Sequence, residues 1–453
     1  MKHAARNASL LALVIASLAG CAGMTGNTDP PYALILERTG ATVGAQDSAA
    51  LQAQVHTLLA TPLTEAHAVQ IALINNPGLL ASYADFGVAQ ADLLQAGLPD
   101  NPGITFNHTH GAGATVIDRT WSFNLISLIT APLATRIERS HLEQTRLQIA
   151  DYALRVAAST RAAYFEAIAA QQDLDYAQQV NQAAQASAEL AQRMHSSGNW
   201  SALDQQREQL FFAQTSANLA MAGTANAERR EALNRLLGLS GSELAYQLPS
   251  QLPDLPESPF AADDIEALAM AQRLDIQMSL LETRRLAASL DLTQATGFIN
   301  VLEAGPANNS TSAQASARGY QISIEIPLFD WGQAKTLRAQ SLYMQSVQRA
   351  RETALNARAE VRLATRHYQD AYRLARQYRD QIVPLQSQIS AQNLLRYNGM
   401  LISVFELLSD ARNQVAIVNA SAAAMKNFWV ADAQLQAALG GNLHTLPAPG
   451  AQP

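Results

Sequence analysis

The sequence predicts a fold that is mainly α with short β. Three observations carry this. Two stretches of roughly sixty residues have a helical pattern, the first of them without proline and almost without glycine. Two short segments, 119–127 and 320–326, alternate apolar and polar residues with the period of a strand, and two more, near 104–110 and 298–304, read as their strand partners. The order helix, two strands, long helix, break, long helix is written twice along the chain.

The elements follow in order. Residues 1–20, "MKHAARNASLLALVIASLAG", place Lys2 and Arg6 before an apolar stretch from Leu10 to Leu18, which is a secretory signal with a core too short to span as a helix. Residues 21–60 read as an N-terminal segment behind it, beginning at Cys21, the single cysteine, so disulfide chemistry is excluded. The first repeat covers 61–240. It opens with Thr61 or Thr64 as N-cap, is restarted by Pro77, and breaks at "GLPDNPG". Strands are expected at about 104–110 and 119–128. In the latter, Trp121, Phe123 and Leu125 share one face and Ser122 and Asn124 the other, with Pro132 closing the pair. A helix then runs from about Leu133 to His195. Its apolar or small positions 149, 153, 156, 160, 163, 167, 170, 174 and 177 step by four and three, a heptad-like seam rich in alanine. At the usual rise per residue it is on the order of 90 Å long. "SSGN" breaks it at Gly198, and helix resumes from Ser201 to Leu237.

Residues 241–262 carry Pro249, Pro253, Pro256 and Pro259 and read as an extended linker. The second repeat covers 263–440. Helices, a short one and then a longer one, are expected over about Asp263 to Ala295, strands at about 298–304 and 318–327, helix from Lys335 to Asn398, a break at Gly399 in "YNGM", and helix to Leu439. Residues 441–453 form a tail. Gly198 and Gly399 mark equivalent breaks, and the offset between the halves drifts slightly along the chain, as in a structural duplication.

Four strands need a sheet the chain alone does not close. An isolated hairpin is marginal in water, open edges cannot lie in lipid, and the smallest barrels have about eight strands. A symmetric trimer supplies twelve. In "GYQISIEIP" Tyr320, Ile322, Ile324 and Ile326 then face lipid, and Gln321, Ser323 and Glu325 face a wet lumen.

The chain has no second run of about twenty apolar residues. Its formal charge of −7 forms no basic stripe, which argues against nucleic acid. No nucleophile elbow, phosphate loop or metal-ligand cluster occurs, so no enzyme, cofactor or metal is expected. His108 and His110 share one side of a strand but read as polar residues near a hairpin loop, and Met194 and Met400 as packing near turns. "RHYQD" (366–370) holds acid–base residue types at helical spacing only.

"LAGC" (18–21) resembles the lipobox of bacterial lipoproteins, which implies that Cys21 is lipidated and becomes the mature N-terminus. With Ala22 rather than aspartate next, the outer membrane is the implied address. The doubled order, "GLPDNPGITF" and "LLRYNGMLISVFELLSDARNQV" together resemble the TolC-type outer-membrane channels over about residues 60 to 440. The resemblance implies a homotrimer whose twelve-stranded barrel continues as a twelve-helix periplasmic tunnel. It implies a periplasmic adaptor and an inner-membrane pump as partners, in efflux or in type I secretion. It places Tyr397 at the gating tyrosine, Glu406 at an acidic ring position, and Asp204 as the partner in the first half, near the tips at Gly198 and Gly399. Ser409 stands where a second acidic ring is often found, with Asp410 beside it. The rival from another class is a lipid-held periplasmic coiled-coil scaffold, which has no need of the alternating pattern at 119–127 and 320–326.

Overall fold

The computed structural model describes residues 30–42, 48–111, 114–260, 264–297, 301–312 and 314–441. The signal segment and Cys21 lie outside these, as does most of the tail. The helices are α1 (Tyr32–Thr39), α2 (Ser48–Leu59), α3 (Glu65–Asn75), α4 (Pro77–Gly97), α5 (Leu125–Ser196), α6 (Ala202–Leu237), α7 (Ile265–Gln272), α8 (Leu274–Thr296), α9 (Gln333–Gln377), α10 (Val383–Asn398) and α11 (Val404–Ala438). The strands are β1 (Gly103–Gly111), β2 (Ala114–Asn124), β3 (Leu302–Thr311) and β4 (Gln314–Ile324). The chain forms two compact units. One holds 82–149 and 274–354, including the sheet. The other holds 32–81, 150–273 and 355–441.

In the first unit the strands form one antiparallel sheet in the order β1-β2-β3-β4. The second strand, expected at 119–128, is shifted: it starts at Ala114, stops at Asn124, and α5 begins at Leu125. Asn124 is the cause. Its Oδ1 accepts from the Ile126 amide at 3.1 Å and from the Ser127 amide at 3.2 Å. This N-cap overrides the apolar alternation running on to Leu128. Pro132 therefore lies inside the helix instead of closing the strand pair. The second pair is also displaced, from 298–304 and 318–327 to 302–311 and 314–324, with 298–300 outside the described residues. Pro327 lies beyond β4 in the connection to α9, where a missing N–H costs no ladder bond.

The second unit is built on the expected seam of α5. Residues 153, 156, 160, 163 and 167 are buried, and 170, 174 and 177 half-buried; Ile149, the last residue of α5 in the first unit, is buried as well. An aromatic chain crosses between the two repeats. Phe165 of α5 stacks on Trp429 of α11 at 5.1 Å, Trp429 meets Phe428 at 5.0 Å, and Phe428 meets Tyr368 and Tyr372 of α9 at 5.4 and 5.7 Å. Offset and edge contacts of this kind contribute about 1 kcal/mol each beyond burial. The proline-rich segment is strapped to this cluster. The Trp429 indole donates to the Pro253 carbonyl, the Tyr372 hydroxyl to those of Pro256 and Glu257, and the Phe260 amide to the Tyr368 hydroxyl. Tyr164 donates to the Leu63 carbonyl at 2.9 Å. Burial, and secondarily the Glu65 carboxylate, push its hydroxyl up to about 12, so it stays a donor at ordinary pH.

The duplication shows in how α6 and α11 end. Asn75 donates to the carbonyls of Leu237 and Gly238, and Asn76 to that of Leu236. In the second half Arg273 donates to the Ala438 carbonyl. Both devices satisfy carbonyls that the last helical turn leaves without partners. The long second-half helix is not continuous. A π turn at Tyr378–Ile382 separates α9 from α10, just ahead of Pro384. The wider turn accommodates a residue that has no N–H and crowds the carbonyl one turn back, here that of Asp380.

Candidate functional site

Two regions hold the sequence-derived candidates. The first is the sheet. Register puts Ile104 opposite Trp121, Leu302 opposite Ile324, Ala304 opposite Phe123 and Ile322, and Pro306 opposite Tyr320. In an antiparallel sheet opposed residues share a face, so these form one continuous apolar face. The other face carries Thr105, Asn107, Asp118, Thr120, Glu303, Asn309, Gln321 and Ser323. The apolar face is solvent-exposed, with Tyr320 at 81%. Exposed Ile326, Leu328, Phe329 (99%) and Trp331 continue it past β4. Such an area on a monomer marks a surface that something else covers. Gly305 permits the close approach of β3 to β2, since a Cβ there would lie 1.8 Å from the Trp121 carbonyl oxygen. Among the described residues, β1 and β4 each have one edge unpaired. No described helix is long and apolar enough to cross a membrane.

The second region is the pair of helix turns. α5 ends at Ser196, Gly198 takes φ +79°, and Ser201 caps α6. The Ser201 Oγ accepts from the Asp204 amide at 3.2 Å and donates to its Oδ2 at 2.6 Å, while Arg207 lies 3.6 Å from the same carboxylate. In the second turn Ser403 caps α11, and Glu406 completes a capping box by accepting from the Ser403 amide at 3.4 Å. The two turns also close alike. Asn199 N–H donates to the Met194 carbonyl and Gly198 N–H to that of His195. Leu401 N–H donates to the Arg396 carbonyl and Met400 N–H to that of Tyr397. These are paired helix-end bonds of the Schellman type. Met194, His195, Gly198 and Asn199 thus correspond in one register to Arg396, Tyr397, Met400 and Leu401. That register aligns Gly198 with Met400, not with Gly399. Met400 takes φ +60°, whereas Gly399 has φ −81°.

The structure therefore gives the candidates different standing. Asp204 and Glu406 are each engaged by their own helix starts, where a carboxylate also suits the positive end of the helix. Tyr397 is exposed, and its hydroxyl has no hydrogen-bond partner among the described residues. Asp204 and Tyr397 are not joined within the protomer. Ser409 is exposed, while Asp410 is buried and accepts from the Gln386 amide at 2.9 Å.

Sequence reasoning missed the contacts that tie the first turn to the second half. Trp200 packs against Phe405 with the rings tilted and their centres 4.9 Å apart. Glu208, 2% exposed, accepts from Ser187 at 2.8 Å and from the Arg412 guanidinium at 2.7 Å, and Arg412 lies over the Phe211 ring at 4.4 Å. No signal in the sequence pointed to these contacts; the register set by the turns' hydrogen bonds shows Glu208 and Asp410 as two carboxylates on equivalent turns of α6 and α11. Among the described residues, no group of three His, Cys, Asp or Glu side chains is placed to hold a metal ion.

No family model matches the chain, and no curated protein matches it by sequence. Solved structures do. CusC, studied for conformational changes accompanying folding and transmembrane channel formation, is 19% identical, covers 86% of this chain and 92% of its own, and superposes with a TM-score of 0.69. The outer membrane protein VceC of Vibrio cholerae is 16% identical over 83% of this chain and 96% of its own, with a TM-score of 0.69. The MtrE outer membrane channel of Neisseria gonorrhoeae, solved in its open state, is 16% identical over 83% and 88%, with a TM-score of 0.67. The chain has the fold of the TolC-type outer-membrane channels.

Proposed function

We propose that the protein is the outer-membrane duct of a tripartite efflux pump. Three copies close a twelve-stranded barrel, and the helices form a periplasmic tunnel that meets an adaptor and an inner-membrane pump. One observation carries the reading: a sheet with an apolar exposed face, a polar face, and an unpaired edge on each side. A lipid-held scaffold has no use for such a sheet. Joining β4 of one copy to β1 of the next satisfies both edges at once. Along β4, the six steps from Arg318 to Ile324 rise about 20 Å, or about 15 Å when tilted, against an apolar band of about 25 Å in such barrels. The exposed run from Ile326 to Trp331 supplies the remainder, ending in the aromatic residues that favour a membrane boundary.

Cys21 is proposed as the lipid-bearing residue that holds the chain at the outer membrane. The turns at Gly198 and Gly399–Met400 are proposed as the periplasmic tips. There the unpartnered Tyr397 hydroxyl is free to bond a neighbouring copy, and Glu406 and Asp204 contribute negative charge around the opening. The protein acts by positioning and passage, so its cargo crosses without covalent change.

The test is assembly. Ile324→Asp places a charge on the apolar face, where acidic residues cost less than the roughly 2–4 kcal/mol of basic ones at the midplane. Heat-resistant trimers should decline, and channel events in planar bilayers should become rarer, while Glu325→Leu leaves both intact. The reverse ranking would overturn the assignment of faces.

A further inference from the structure

The two faces of the sheet separate charge as well as polarity. Among the described strand residues both carboxylates, Asp118 and Glu303, lie on the polar face, and both arginines, Arg119 and Arg318, lie on the apolar face. The two arginines occupy one row. Asn308 of β3 pairs with Arg119 of β2 on one side and with Arg318 of β4 on the other. Their backbones are thus two strand spacings, or about 10 Å, apart. Both side chains are exposed, and neither has a carboxylate partner among the described residues. Arg119 lies over the Phe106 ring, 5.9 Å from its centre.

The position of this row is as informative as its charge. Toward the helices, the next row is Ile104, Trp121, Pro306 and Tyr320, and the rows beyond it hold Phe123, Ile322 and Ile324. Toward the hairpin turns the face becomes polar, with His108, His110, Thr115 and Ser310 around Ile117. The arginines therefore stand where the apolar face gives way, immediately beyond a Trp and a Tyr. On a face covered by lipid acyl chains, that level is occupied by headgroups. A guanidinium suits phosphate there because its planar fork bonds two oxygens at once, and its stem can lie along apolar surface. We propose that Arg119 and Arg318 form a row that binds the phosphate groups of membrane lipids at the hairpin end of the sheet. The inference rests on the membrane reading of the sheet. In a closed barrel it repeats around the circumference as a ring.

The experiment uses the full-length protein in vesicles of a zwitterionic phospholipid containing a minor fraction of an anionic phosphate-headed lipid, or of an anionic carboxylate-headed one. Lipid retained by the protein after detergent extraction is identified and counted by native mass spectrometry. The wild-type protein should retain the phosphate-headed lipid in preference to both others. Each arginine removed, as Arg119→Gln or Arg318→Gln, should lower that preference roughly fivefold, the factor corresponding to about 1 kcal/mol per basic residue near an anionic surface. Arg349→Gln, on α9, should leave it unchanged. Equal retention of all lipids by the wild type, or full retention by the double variant, overturns the proposal; equal retention of the carboxylate lipid overturns its phosphate part. Retention in the same vesicles through an alkaline carbonate wash separates the two readings. A wild-type protein that the wash releases undoes the membrane reading itself, whereas one that stays inserted without lipid preference undoes the arginine row alone.

Discussion

The turns after α5 and α10 share a backbone and differ in what occupies it. Both close with the same pair of helix-end bonds, both restart from a serine N-cap, and both place a carboxylate at the third position of the next helix. At the left-handed position one has Gly198 and the other Met400. One turn further along, Glu208 is held by a cation from the other half, whereas Asp410 is held by the neutral amide of Gln386 in its own half. Backbone hydrogen bonds constrained the duplication where they leave no alternative. Side-chain partners diverged where several would serve: the Glu208 carboxylate takes its cation from the opposite repeat, and the Asp410 carboxylate takes an amide from its own.

The largest test of that asymmetry is Arg412→Met. Removing one partner of a buried ion pair typically costs about 3–5 kcal/mol. Arg412 is 37% exposed, so the loss in thermal unfolding monitored by circular dichroism should lie near the low end, at about 3 kcal/mol. Gln386→Leu, which strands Asp410 without its neutral partner, should cost less, about 1–2 kcal/mol. Adding Glu208→Gln to the Arg412→Met background should recover much of the loss, because Ser187 still serves the amide. Equal costs for the two single variants would erase the distinction between the turns.

A smaller effect separates the two glycines. Gly198→Ala should destabilise by about 1 kcal/mol, because φ +79° is costly for any Cβ although the space around it is open. Gly399→Ala should stay within about 0.5 kcal/mol, since its φ is ordinary and the nearest atom to an added Cβ lies at 3.5 Å. If Gly399→Ala proves the costlier, the alignment of Gly198 with Met400 is wrong.

These glycines also show what the sequence disclosed and what it hid. "SSGN" and "YNGM" located both breaks, because a glycine near a polar cluster marks a helix end regardless of tertiary context. Matching glycine to glycine then misaligned the turns by one position. The left-handed position is set by hydrogen bonding from the preceding turn, and a methionine can be held there. The alternation in 119–127 and 320–326 gave the two faces of the sheet correctly, since period 2 follows directly from strand geometry. It misplaced the ends, because Asn124 decides between strand and helix through its own side chain, not through any apolar pattern. The Glu208–Arg412 pair, far apart in sequence, left no local trace at all. Nor did the π turn before Pro384, where a proline inside a helical pattern is compatible with a kink, a break or a bulge.

Met400→Gly is the finest test, because two opposing terms nearly cancel. A non-glycine residue in the left-handed region carries a local cost of about 1–2 kcal/mol, which the substitution relieves. Glycine in turn loses more freedom on folding, by roughly 0.5–1 kcal/mol. The side chain itself contributes little within the protomer, being 93% exposed. The net expectation is a gain of about 0.5 kcal/mol in the thermal unfolding of the assembled protein. A loss of similar size would mean that the thioether is covered in the assembly, with contacts that outweigh the strain they maintain. Strain held at an exposed turn is the kind of outlier from which function is argued. In that outcome the second turn would differ from the first in presenting an apolar side chain to a neighbour where Gly198 presents none.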